Sequence, residues 1–94
     1  MSKASARIGD DHVCPRAGHV GGPIITSAAP TVVIVGQQAG TVTSTCKCRG
    51  GANDKVVQGS ATVLLSGHSA ARIGDRTEHG GKIVTGAANV VIGG

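Results

Sequence analysis

The sequence has no phenylalanine, tyrosine or tryptophan, and one methionine in 94 residues. Aromatic side chains normally supply much of the buried area of a small core. Their absence leaves Val, Ile, Leu and Ala to fill it, which disfavours a helical bundle and removes any stacking platform for single-stranded nucleic acid. Acidic residues are few, five against nine Lys and Arg, but the cations are scattered singly, so no nucleic-acid partner is expected. No apolar run approaches the roughly 20 residues of a membrane helix, and the opening MSKASARIGDD lacks the apolar stretch of a signal peptide. Cytoplasmic synthesis without export by the general route is expected. Three cysteines exclude a complete disulfide framework and allow at most one internal pair. A single domain over residues 1–94 is expected, and its thin core calls for help from a metal, a disulfide or a partner surface.

What the chain does have is glycine, 16 residues of it, and repetition. ARIGD occurs at residues 6–10 and again at 71–75. HVGGPIITSAAPTVVIVG (19–36) matches HGGKIVTGAANVVIGG (79–94), and between them QAGTVTSTCKC (38–48) and DKVVQGSATVLLSG (54–67) form a third, degenerate copy. The repeats run over approximately 4–36, 37–67 and 68–94. Each pairs a polar loop with a short apolar pair (Ile24-Ile25, Val56-Val57, Ile83-Val84). A small-residue turn follows (Ser27-Ala28, Gly59-Ser60, Gly86-Ala87), then a β-branched-rich run that ends at Gly36, Gly67 or Gly93. The pattern predicts an all-β fold of three β-hairpin repeats related by a pseudo-threefold axis. One such hairpin is unstable in water, whereas three can bury their Val and Ile faces together.

Counting from Asp10, Ser44 and Asp75, the second position on holds His12, Cys46 and Thr77, and the fourth holds Cys14, Cys48 and His79. His19, further along the longer first loop, aligns with His79 through the glycines that follow. One loop layer thus gathers His12, Cys14, His19, Cys46, Cys48 and His79, more than the four groups of a tetrahedral zinc site. Thiolate with imidazole favours zinc over magnesium or calcium. The alternative for the cysteines is one disulfide and a buried thiol, less expected in a reducing compartment. His68, at a strand exit with no counterpart in the other repeats, is expected to face solvent. Arg7 and Arg72, each three residues before an aspartate, are expected to fix their loops by hydrogen bonds rather than to catalyse.

The segments Ser69-Ala70-Ala71-Arg72, Ala4-Ser5-Ala6-Arg7 and Gln38-Ala39-Gly40-Thr41, with HVCP, HVGGPI, CKC, ARIGD and EHGG around them, resemble the PAAR-repeat proteins from Ala4 to Gly94. The proline of that signature is absent from all three copies. The resemblance implies a single small β cone with a metal-bound apex that caps the trimeric VgrG-type spike of type VI secretion or a related contractile injection machine, one copy per trimer. It implies a structural, non-enzymatic tip that helps to pierce a target membrane without binding it stably, and recruits effector or cargo proteins as separate chains. With three residues before Ala4 and none after the last strand, no fused toxin is expected. Export by the machine itself, into the extracellular space or a target cell, is implied. It also implies one structural zinc held by three histidines and a cysteine: His12, His19, His79 and Cys48, the last because it shares the register of His79. Cys14 and Cys46 remain as alternative ligands or as each other's disulfide partner. The reading from another class is a small zinc hydrolase with an open three-histidine site, for which Glu78 is the only nearby glutamate; a metal-storage protein is a third.

Overall fold

A computed structural model describes residues 3–15, 18 and 20–93. No helix occurs among them. The strands are β1 (Lys3–Ser5), β2 (Asp11–Val13), β3 (Gly22–Pro23), β4 (Ala29–Ile34), β5 (Gln37–Ala39), β6 (Thr45–Cys46), β7 (Asp54–Lys55), β8 (Leu64–Leu65), β9 (His68–Ser69), β10 (Lys82–Ile83) and β11 (Ala87–Ile92). The fold is all-β, as the repeats predict, with extents of 33 × 25 × 22 Å.

The hairpin turns fall elsewhere than at the small-residue pairs of the sequence. β4 joins β5 through Val35-Gly36, at φ 47° and 82°, and β8 joins β9 through Ser66-Gly67, at φ 50° and 82°. Two successive positive φ values make the tight turn whose twist matches that of the strands it joins. Each hairpin therefore combines the last strand of one repeat with the first of the next. The third pair is β11 with β1, in the same relation: Lys3 opposes Ile92 as Gln37 opposes Ile34 and His68 opposes Leu65. The last strand returns to the first and closes the ring.

Backbone hydrogen bonds show the threefold relation directly. Ala6 N–H donates to Ala71 C=O (2.9 Å), Ala71 N–H to Gly40 C=O (3.0 Å), and Gly40 N–H to Ala6 C=O (2.8 Å). A second ring runs Ile8 to Gln38, Val42 to Ser69 and Ile73 to Ala4, each at 2.9 Å. A third runs Ile25 to Thr45, Val57 to Arg76 and Val84 to Asp11 at 2.8–3.0 Å. Where three backbones meet this closely only small side chains fit. Ala6 and Ala71 are fully buried, and a Cβ at Gly40 would stand 3.1 Å from the Ala6 carbonyl oxygen.

The apolar pairs split by strand alternation. Ile24, Val56 and Ile83 are fully buried in one core with Ala6, Cys46 and Ala71, while Ile25, Val57 and Val84 are exposed. Each buried member contributes roughly 1.5–3 kcal/mol. A second cluster of Ile34, Ala39 and Ala87 lies under the hairpins.

The polar loops repeat as well. Arg7 N–H and Nε donate to Asp10 Oδ2 (2.8 and 3.0 Å), and Arg72 does the same to Asp75 (2.7 and 3.0 Å). In the middle copy Thr41 N–H donates to Ser44 Oγ at 3.0 Å. The two arginines thus fix their loops, as expected from their spacing. Beside each clamp the chain bends through a left-handed residue: Gly9 (φ 95°), Gly74 (φ 89°) and, in the degenerate copy, Thr43 (φ 80°). A β-branched residue is strained there. Thr43 is exposed, so Thr43→Gly removes strain without loss of packing. It is expected to raise stability by about 1 kcal/mol, read as a higher urea midpoint at unchanged m; a lower midpoint would show that no strain is held.

Candidate metal centre

Beyond the rings, the three loops continue in register along the axis. The Ile24–Cys46, Val56–Thr77 and Ile83–His12 pairings form one layer, so His12, Cys46 and Thr77 occupy equivalent places. Two residues further on stand Cys14, after β2, Cys48, after β6, and His79, in the turn before β10. One ligand atom from each of these three lies within 4.8 Å of the others. Cys14 Sγ is 3.5 Å from His79 Nδ1. Zinc–sulfur and zinc–nitrogen bonds of about 2.3 and 2.0 Å at a tetrahedral angle put adjacent donors about 3.5 Å apart. The donor set and its spacing therefore fit zinc. No disulfide joins Cys14, Cys46 or Cys48.

Close backbone approach brings these loops together. A Cβ at Gly81 would lie 1.8 Å from the Val13 carbonyl oxygen, so the glycines after His79 are what allow its turn to lie against β2. The Thr77–Gly81 turn is closed by Thr77 N–H to Gly81 C=O (3.0 Å).

Of the residues singled out in the sequence, Cys14, Cys48 and His79 come together. His19 lies outside the described residues, but its neighbour Val20 exchanges both backbone hydrogen bonds with Arg49, the neighbour of Cys48, at 2.6 Å each. His12 lies outside the three-residue group, one layer inside it, with 2 % of its surface exposed. Its Nδ1 is 2.8 Å from the Gly22 carbonyl and its Nε2 is 3.2 Å from Asp54 Oδ2. Cys46 is fully buried in the core, and burial, followed by the nearby Asp54 and Cys48, pushes its thiol pKa up to about 12. His68 is exposed on β9, as expected.

Sequence reasoning missed Asp54. It is 1 % exposed, and Oδ1 accepts from the N–H groups of Lys55 (2.8 Å) and His79 (2.9 Å). Oδ2 lies 3.7 Å from His79 Nδ1. Burial works to raise the pKa of this carboxyl. The nearby Thr77 hydroxyl, the N–H groups of His79 and Lys55 and the attraction of the His79 ring outweigh it and hold the pKa below the ordinary range. The signal was present in the sequence: Asp54 falls in register with Gly22 and Gly81, a charged residue where the other repeats have none.

The molecule is thus a closed three-repeat β scaffold whose small-residue rings leave no room for a large core and whose loops converge on a Cys/His cluster. That is the class of a small repeat-built β module with a candidate Cys/His metal site. The family model for the PAAR motif matches residues 16–85, and the chain belongs to that family, one of structural spike-tip components of type VI secretion machines. No curated protein matches it.

Proposed function

We propose that the protein is the zinc-stapled tip of a type VI or related contractile machine, seated one copy per trimer on a VgrG-type spike. The observation that carries this is the threefold presentation of apolar surface at the hairpins. Val33, Leu64 and Val91 occupy equivalent positions and are each 61 % exposed. A monomer gains nothing from three matched exposed aliphatic side chains, whereas a threefold-symmetric partner meets each with the same surface of its own three chains. Each repeat starts and ends at a hairpin and reaches the Cys/His cluster midway, so the spike would hold the hairpins and the metal would close the loops.

One structural zinc would be held by Cys14, Cys48 and His79 with His19 as fourth ligand, on the strength of the Val20–Arg49 pairing beside it. This differs from the three-histidine set that the family resemblance implies. Two thiolates make a closed site and speak against a water-activating hydrolase centre. The tip would be made in the cytoplasm, leave with the machine, and pierce rather than reside in the target membrane, with effectors carried as separate chains.

Mixing the protein with its spike trimer is expected to give one chain per trimer by light scattering. Leu64→Asp is expected to weaken that complex about 10- to 100-fold, from the roughly 1.5–3 kcal/mol of one buried aliphatic side chain, without lowering the melting temperature. Absence of a complex with the wild-type chain would count decisively against the reading.

A further inference from the structure

We propose that His12 and Asp54 form a buried pair that positions His79 and its turn for metal binding, so that His12 serves the centre without being one of its ligands. The proposal rests on the metal centre described above and adds residues to it.

Asp54 occupies a place that the other repeats cannot use. A Cβ at Gly22 would stand 2.6 Å from the Lys47 carbonyl oxygen, and at Gly81 the Val13 carbonyl blocks it. Only the second repeat admits a side chain here, and that side chain is a carboxylate aimed into the layer beneath the cluster. Oδ1 holds the backbone of His79 and Oδ2 faces two imidazole rings, His12 Nε2 at 3.2 Å and His79 Nδ1 at 3.7 Å.

The His12 ring is engaged at both nitrogens. Nδ1 lies 2.8 Å from the Gly22 carbonyl oxygen and 3.5 Å from the Gly22 backbone nitrogen. A carbonyl oxygen and a carboxylate oxygen thus flank the ring on either side. Nε2 and Oδ2 lie at ion-pair distance without hydrogen-bond alignment, and both side chains have no exposed surface. The N–H donors to Asp54 both reach Oδ1, and of the two rings that face Oδ2 that of His12 is the nearer. The ring thus stands beside a buried carboxylate and outside the group of donors that converge. Its effect reaches the centre through Asp54, as outer partners of ligating residues do.

The test uses the full chain loaded with cadmium-113 and labelled with nitrogen-15 at histidine. Metal–imidazole coupling is expected for His79 and absent for His12. Coupling to His12 would overturn the proposal. Asp54→Asn keeps the size and one acceptor oxygen while removing the charge. It is expected to weaken zinc binding about 10- to 100-fold while the cobalt form keeps the wild-type thiolate charge-transfer band. Affinity within twofold of wild type would also overturn it. A wild-type chain that takes up no cobalt at all would instead overturn the metal centre, and the proposal with it; the band in the wild-type protein separates the two failures.

Discussion

Cys48→Ser is expected to cost about 100-fold in zinc affinity, and stripping the metal from the wild-type chain to lower its melting temperature by roughly 15–30 °C. Structural zinc contributes about 10–16 kcal/mol of apparent binding energy in small domains. Shared among four ligands, that is about 3 kcal/mol for each, or about two decades in affinity. At a free metal concentration about 1,000 times Kd, binding stabilises the folded state by about 4 kcal/mol. In a domain of this size each kcal/mol moves the midpoint by about 4–8 °C. The effect is large because the metal would join three separate loops beyond the apolar core: Ile24, Val56 and Ile83 lie one layer further in. Competition with a chromophoric chelator measures the first effect, and thermal unfolding with and without chelator the second. In the same samples Cys46 is expected to resist alkylation, since its buried thiol stays protonated far above neutral pH. A melting temperature unmoved by chelation would show that the fold needs no metal.

Asp75→Ala is expected to destabilise the protein by about 3–5 kcal/mol, the range for breaking a buried ion pair from one side. Arg72 meets Asp75 through Nη2 at 2.9 Å and through Nε and its own N–H, with side-chain exposures of 5 % and 0 %. Removing the carboxylate strands a buried guanidinium and frees the loop. The middle repeat shows that the charge itself is dispensable, because Thr41 and Ser44 close the same loop with a hydroxyl. The double variant Arg72→Thr/Asp75→Ser, which copies that repeat, is therefore expected to recover more than half of the loss. Asp10→Ala should cost only about 1 kcal/mol, since Arg7 is 21 % exposed and keeps access to water. Urea unfolding of the set measures all three. A double variant no better than Asp75→Ala would mean that the loop depends on charge after all.

Much of this protein is legible in its sequence because the repeat does the work of an alignment. Once ARIGD at 6–10 and at 71–75 is set against the degenerate copy, the equivalence of Cys14, Cys48 and His79 follows from counting. The structure then brings together one ligand atom from each. The all-β class follows from short β-branched runs bounded by glycine, and the structural role of Arg7 and Arg72 from their spacing to Asp10 and Asp75. These are local or periodic properties, and backbone chemistry makes them readable residue by residue.

Other features depend on which strand meets which. Hairpin partners come from neighbouring repeats because the tight turns form at Val35-Gly36 and Ser66-Gly67, and the ring closes through β11 and β1 at the two chain ends. No local pattern encodes a contact between Lys3 and Ile92. The difference between His12 and Cys14 is likewise one of depth along the axis. Strand alternation and the approach of three backbones carry one ring inward to Asp54 and leave the other two residues further out at the cluster. Asp54 itself reads as an ordinary loop acid until the packing shows that Gly22 and Gly81 stand where its side chain goes. The sequence by itself determined the strands, the repeat and the layer of soft ligands, all matters of composition and register. Only the tertiary structure decided which of those ligands converge and which residue supports them from beneath, because that depends on the closure of three separate loops around one axis.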